Sequence, residues 1–244
     1  MSRYIYILVL SLAMVCHLSP VAAQTDTAGT EETDKAPAKK KFTGGHQLTI
    51  GADIFHPILN QYASNRYSYE GEVSYYLKNE YYLVAEGGWG GSDVSFDDLK
   101  YKTTNYFGRL GFNKSILYRE SNKDWDMMFM GLRAAMSNVN RGDAVYTTTD
   151  SVWGSTTGIS AGQNFAAVWA ELTVGMRVEL VHGIMAGWNM RGKFLMNGRS
   201  FSSLAPLQIA GYGKGDKSTN FDFNLYICYA IRWNKQQSAA TPAD

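Results

Sequence analysis

The residues of this chain with the means to do chemistry fall into two groups, a few scattered candidates for catalysis and a larger set of charges at regular spacing. An acyl-transfer site needs a hydroxyl nucleophile beside a histidine base that an acid orients. Beyond residue 23 the histidines are His46, His56 and His182. His56, with Ser64 or Ser68, is the one that could serve a rim-located lipid-modifying site, while His46 and His182 fall where a strand starts and where a turn is expected. A lone histidine beside Pro57 reads more simply as a loop residue. Scattered histidines and Cys228 offer no metal-ligand spacing. The runs Gly87-Gly88-Trp89-Gly90-Gly91 and Gly211 to Ser218 lack the Gly-Lys-Ser/Thr ending of a phosphate loop. The first suits a bent strand entering a loop and the second an outer loop tip. Asn113-Lys114-Ser115 matches a glycosylation sequon by chance. No catalytic residue, cofactor or metal site is assigned.

The second group consists of Asp53, Glu70, Glu72, Glu86, Glu171, Glu179 and Asp222, with Arg109, Arg133, Arg177, Arg191, Lys193 and Arg232. Each lies in a stretch where apolar residues alternate with polar ones. Between Val168 and Leu180, for example, Val168, Ala170, Leu172, Val174, Met176, Val178 and Leu180 share one face of a strand. Trp169, Glu171, Thr173, Gly175, Arg177 and Glu179 share the other. A helix would turn these charges in several directions, whereas a strand collects them on one side. Seven acids thus face six bases, a near balance that suits pairing across an enclosed space.

Alternation of this kind recurs in eight segments, near residues 47–54, 69–77, 81–89, 105–112, 128–137, 168–180, 184–196 and 221–233. Tight turns are expected at Lys78 to Glu80 and Val181 to Gly183. Long connections are expected at Phe55 to Asn65, Gly90 to Lys102, Val139 to Asn164 and Asn197 to Asn220. The stretch from Asn113 to Asp124 should be short; it becomes so if the fourth strand runs on to Tyr118 and leaves a turn of Arg119 to Asp124. Alternating short and long connections, with strands long enough to cross a bilayer when tilted, point to an all-β, eight-stranded antiparallel up-and-down transmembrane β-barrel over residues 46–233. A soluble β-sandwich is the competing architecture. Aromatic girdles favour the barrel, with Tyr75, Tyr76, Tyr81, Tyr82, Phe112, Trp125 and Trp233 toward one interface and Tyr67, Trp89, Phe165, Phe194 and Phe221 toward the other.

The ends of the chain suggest the compartment. Arg3, the apolar run Ile5 to Val15 and the exit Val21-Ala22-Ala23 read as a signal peptide over residues 1–23, too short and too quickly closed by His17, Ser19 and Pro20 to be a comfortable span. Cys16 could mark a lipoprotein site, but Met14 and Val15 stand where small residues are usual. Cleavage removes Arg3, the only charge in that segment, and turns a formal net charge of +1 into zero, so nothing recommends a nucleic-acid partner. It also leaves Cys228 as the single cysteine, which excludes an intrachain disulfide. Residues 24–45, with Lys39-Lys40-Lys41, read as a flexible periplasmic leader, and 234–244 as a periplasmic tail.

With these features the chain resembles the small outer-membrane barrels of the OmpX and OmpA-barrel type, and the outer-membrane barrel families of unassigned function in Bacteroidota. The resemblance covers residues 46 to 233 and departs from the pattern where eleven residues follow the aromatic Trp233. It implies residence in the bacterial outer membrane, contact with outer-membrane lipid, and handling by the outer-membrane assembly machinery. A structural or interaction role is expected, with an accessory subunit of an envelope complex as one form of it and the outer loops as the surface offered to an envelope partner. The lumen is expected to be plugged by ion pairs, with Arg109, Arg133, Arg177 and Arg191 meeting Glu70, Glu86, Glu171 and Asp222. The alternatives are a lipid A deacylase or acyltransferase and a narrow channel.

Overall fold

The computed structural model describes residues 45–62, 65–117, 124–150, 152, 154–198 and 205–233. The signal peptide, nearly all of the leader, the tail, Ser64 and most of the 119–124 turn lie outside the described residues. Ten strands are present among those described: β1 (His46–Asp53), β2 (Arg66–Lys78), β3 (Tyr81–Ser95), β4 (Leu99–Ser115), β5 (Met127–Arg141), β6 (Ala144–Asp150), β7 (Gly154–Ser160), β8 (Gln163–Val181), β9 (Ile184–Leu195) and β10 (Thr219–Trp233). Eight of them close antiparallel in the order β1, β2, β3, β4, β5, β8, β9, β10, and β10 returns to β1 from His46↔Trp233 to Asp53↔Tyr226. The first and last strands end together, here called the terminal end, and the long connections gather at the opposite loop end.

Period-two patterning makes the wall. In β5 every odd-numbered residue from Met127 to Arg141 is buried and every even-numbered one is exposed. Outward positions form a continuous apolar belt to which each barrel strand contributes, with Ile50, Val73, Leu83, Leu110, Leu132, Leu172, Met190 and Ile227 all exposed. Tight turns sit where the sequence places them. Asn79 and Glu80 both take positive φ, as a two-residue hairpin turn requires, and His182 and Gly183 do the same between β8 and β9.

The connections differ from the sequence reading in five places. Phe55 to Asn65 holds an eight-residue helix, α1 (Phe55–Tyr62), begun by Asp53, whose carboxylate accepts from the Phe55 and His56 amides. Gly90 to Lys102 is no long loop, because β3 and β4 stay paired as far as Ser95↔Lys100. Val139 to Asn164 is built from the strand ends of β5 and β8 and a projecting hairpin of β6 and β7, which leans on β4 at Leu99 and Lys100. The fourth strand stops at Ser115, short of Tyr118. Three aromatics assigned to an outer girdle also point inward: Tyr76, Tyr82 and Trp125 are 4%, 2% and 5% exposed. Adjacent residues of a strand face opposite ways, so Tyr75–Tyr76 and Tyr81–Tyr82 each place one ring outside and one inside. Phe165 likewise packs on an inner cluster.

The fifth difference concerns the segment at 205–218, which folds into the barrel mouth and is not an outer tip. A tight turn at Ile209 to Gly213, closed by reciprocal backbone bonds of 2.8 Å, buries Ile209, Ala210 and Tyr212 against Phe107, Ala135, Val139, Ala167 and Trp169. The Gly87–Gly91 run makes the room. A side chain at inward-facing Gly90 would meet the Ala210 methyl at 2.7 Å, and one at Gly88 would strike the Phe107 ring at 2.6 Å. Gly211 has φ +79 and lies flat on Phe107, so Gly211→Ala should lower thermal stability by about 1–3 kcal/mol. Gly87→Ala, on the outer face with no contact closer than 3.6 Å, should change it by less than about 0.5 kcal/mol. Equal melting temperatures for the two purified variants would contradict the inward placement.

Candidate functional site in the barrel lumen

An eight-stranded barrel has an interior that side chains fill, so inward polar residues must meet each other. Four glutamates and four arginines form the central layer. β2 supplies Glu70 and Glu72, β3 Glu86, and β8 Glu171; the bases come from β4 (Arg109), β5 (Arg133), β8 (Arg177) and β9 (Arg191). Arg109 Nη1 lies 2.7 Å from both Glu70 and Glu86, and its Nε lies 2.9 Å from Glu171. Arg191 reaches Glu70 at 2.7 Å and Glu86 at 3.0 Å, and Arg133 reaches the other Glu86 oxygen at 3.0 Å. Arg177 donates to Glu72 at 2.6 Å, from a strand diametrically opposite.

Neutral groups complete the layer. Arg133 donates to the Thr173 hydroxyl at 3.0 Å, Arg191 to the Tyr226 hydroxyl at 2.7 Å, and the Trp169 indole to Glu171 at 2.6 Å, while Tyr226 also donates to Glu70. Apolar side chains close the layer on both sides. Toward the terminal end lie Tyr76, Tyr82, Val84, Trp125, Met127, Phe129 and Met185, and toward the loop end lies the Phe107–Trp169–Tyr212 cluster. Low-dielectric walls of this kind strengthen each charge-assisted bond and raise the cost of leaving one unmade.

The other five expected lumen charges sit apart from this layer. Glu179 and Arg232 pair at 2.7 Å at the terminal end, where Arg232 also donates to Gln47. Asp53, Lys193 and Asp222 lie at the loop end. Asp222, expected among the partners of the central arginines, instead takes Lys193 at 2.5 Å, and Glu72 fills the central place. Asp222, near the start of β10, stands across from Arg191 in register and gives its carboxylate to Lys193 and His56 instead.

His56 joins this loop-end group. Its Nδ1 donates to Asp53 at 2.5 Å and its Nε2 lies 3.2 Å from Asp222. Burial opposes charge on the ring, but the hydrogen bonds and attraction of Asp222 and Asp53 outweigh it and raise the pKa from 6.5 to about 9. The imidazole therefore holds two protons at neutral pH and bridges β10 to the start of α1. His46 forms a three-ring cluster with Tyr75 and Trp233, and His182 occupies the β8–β9 turn.

Two participants escaped the sequence reading. The Gly211 carbonyl accepts from Arg109 at 2.8 Å and from Lys193 at 2.7 Å, tying the inward segment to the charges beneath it. Arg141 is buried at the upper end of β5 and donates to the Ala161 carbonyl at 2.7 Å. Extending the odd-position pattern of β5 past Ser137 would have found Arg141, whereas no local pattern announces the Gly211 contact. Among the described residues no group of three or more His, Cys, Asp and Glu side chains could hold a metal ion.

No curated protein sequence matches the chain. Among solved structures, the chain is similar to the N-terminal β-barrel domain of Pseudomonas aeruginosa OprF at 12% identity and a TM-score of 0.35, over 77% of this chain and 99% of that one. It is also similar to Ail, the attachment invasion locus protein of Yersinia pestis, in complex with the heparin analogue sucrose octasulfate. That likeness has 9% identity and a TM-score of 0.40, again over 77% of this chain and 99% of the other. Residues 1–236 match the family described as a domain of unknown function, DUF6048, and the chain belongs to that family.

Proposed function

We propose that this chain is an integral outer-membrane β-barrel with a structural or interaction role, its lumen closed by ion pairs and its loop end offered to an envelope partner. The apolar belt carries this reading. On the outward faces of the described barrel strands, charge is confined to Asp93, Lys100 and Lys102 at the loop end and Lys78 and Lys114 at the terminal end. Lys102 and Lys114 lie on one strand, and at the rise and tilt of such barrels they stand roughly 30 Å apart along the axis, a hydrocarbon thickness. Tyr106, Leu110 and Phe112 fill the interval. An exposed apolar ring of this extent has no place on a soluble monomer. Closed hydrogen bonding around the wall removes the unpaired backbone edge that lipid forbids. In this reading residues 1–23 direct export, and an even number of strands puts both ends of the barrel on the same, periplasmic side.

The plug rests on the axis-crossing pairs and on the segment seated above them. The accessory-subunit form of the role rests on the loop end, where the β6–β7 hairpin presents Thr147, Thr157, Thr149 and Ser155 in hydrogen-bonded cross-strand pairs. A lipid-modifying enzyme would need His56 as a base. An imidazole that holds its proton between two carboxylates is a poor one, and we read it as a fastening of α1.

Four outcomes test these statements. The mature protein should fractionate with outer membrane and shift mobility on boiling. Leu172→Arg, which puts a charge on the belt at a cost of about 2–4 kcal/mol, should block assembly where Leu172→Phe does not; assembly of both would remove the lipid-facing assignment. In planar bilayers the unmodified protein should show no steady conductance. Arg133→Ala with Arg177→Ala, which strands Glu72, should cost about 3–5 kcal/mol of stability before any current appears. A large ion-selective current from the unmodified barrel would replace plug with channel. The stabilisation from protonated His56 is complete below pH 6.5, the ordinary value, and is lost as pH rises through about 9. The melting temperature should therefore decline across that window, and His56→Gln should flatten the decline.

A further inference from the structure

A cavity of about 520 Å³ opens at the loop end between α1, β2, the inward segment and β10. Its floor is already neutralised. Lys193 and His56 are held by Asp222 and Asp53, and Glu70 by Arg109 and Arg191. The walls above are not. Arg66 enters from β2 and Lys214 from the inward segment, and both line the cavity, are exposed, and have no acidic partner among the described residues. The Ser68 hydroxyl and the Gln208 amide line it too, and neither side chain makes a hydrogen bond within the described protein. Tyr67 and Phe221 stand at the rim, 40% and 82% exposed.

These groups define a ligand chemistry. Two unpaired cations on separate elements of the wall select an anion, since phosphate and carboxylate oxygens accept charge-assisted hydrogen bonds from both guanidinium and ammonium groups. An uncommitted hydroxyl and amide suit a hydroxylated body, with donors and acceptors on either side of it. Exposed aromatic rings at the mouth can cover the less polar face of such a body. The volume falls within the range of small-molecule sites and exceeds what a bare inorganic anion needs. The pairing of the floor also matters: an anion entering here meets no unneutralised carboxylate, and the net positive walls draw it inward.

We infer that this cavity is a binding site for a phosphorylated sugar, its phosphate held between Arg66 and Lys214 and its hydroxyls by Ser68 and Gln208. Two sources present that chemistry at this end of the barrel, a free sugar phosphate in solution and the phosphorylated sugar headgroup of a glycolipid.

Isothermal titration of the full-length mature protein in mild detergent tests the inference, with glucose 1-phosphate, glucose and inorganic phosphate as probes. Glucose 1-phosphate should bind, and each of the other two should bind about tenfold more weakly or worse. Arg66→Ala and Lys214→Ala should each weaken glucose 1-phosphate by about tenfold, while Lys100→Ala, on the outer wall, should leave it unchanged. Both cations are exposed, so these variants should retain the boiling-dependent mobility shift of the parent. Repeating the titration in phosphatidylcholine nanodiscs with and without lipid A separates the sources. Loss of binding when lipid A is present assigns the site to a headgroup, and unchanged binding assigns it to a free solute. No binding by any probe, equal binding of glucose and glucose 1-phosphate, or binding indifferent to Arg66→Ala and Lys214→Ala would overturn the inference.

Discussion

The wall of this barrel is only eight strands around, and such a circumference leaves an interior whose opposite sides lie within side-chain reach. Everything inside follows from that narrowness. Charged residues that would be solvated in a wider pore must satisfy one another here, and four glutamates with four arginines do so by reaching across the axis. The Arg177–Glu72 pair joins strands on opposite sides of the ring, and Arg109 alone touches carboxylates from β2, β3 and β8. Pairing of this kind also guards the register. A one-residue slip of β8 would turn Glu171 and Arg177 outward and strand their partners inside, a far larger penalty than misplaced apolar residues would bring.

The same narrowness explains why the charges are layered with aromatics. Tyr76, Tyr82 and Trp125 below the ionic layer, and Phe107, Trp169 and Tyr212 above it, occupy volume that would otherwise admit water. Filling the upper layer calls for more material than the strands supply. The chain brings it from the connection before β10, and glycines at 88 and 90 give up side chains so that Phe107 and Ala210 can sit there. The Gly211 carbonyl then completes bonds that Arg109 and Lys193 would otherwise lack, so the filling is polar where it meets charge and apolar elsewhere.

Much of this was legible from the alternation alone. Glu171, Arg177 and Asn189 declare their side because every second neighbour is apolar, and the eight barrel strands and the two tight turns follow. The inward aromatics were not legible, since a ring suits a lipid interface as well as a lumen and only its parity along the strand decides. Tyr76 and Tyr82 would have been placed correctly by counting from Glu72 and Glu86. The seating of Ile209 and Tyr212 lay beyond any local pattern, because its cause is space left by residues more than a hundred positions earlier. The pairing of Asp222 with Lys193 and His56 was hidden for a like reason: α1 brings His56 to β10 from the far side of the chain.

The seam between β1 and β10 sets the order in which the molecule can come into being. His46 pairs with Trp233, so the first strand to be made waits for the last before either edge is satisfied. Until then the growing sheet carries two open edges, each a template for pairing with another chain. A product that stops before Thr219 has no partial version of the wall to fall back on, and it also lacks Asp222 and Tyr226 for the charges it has already enclosed. The arrival of β10, and not the formation of any one hairpin, is thus the event that commits this protein to its shape.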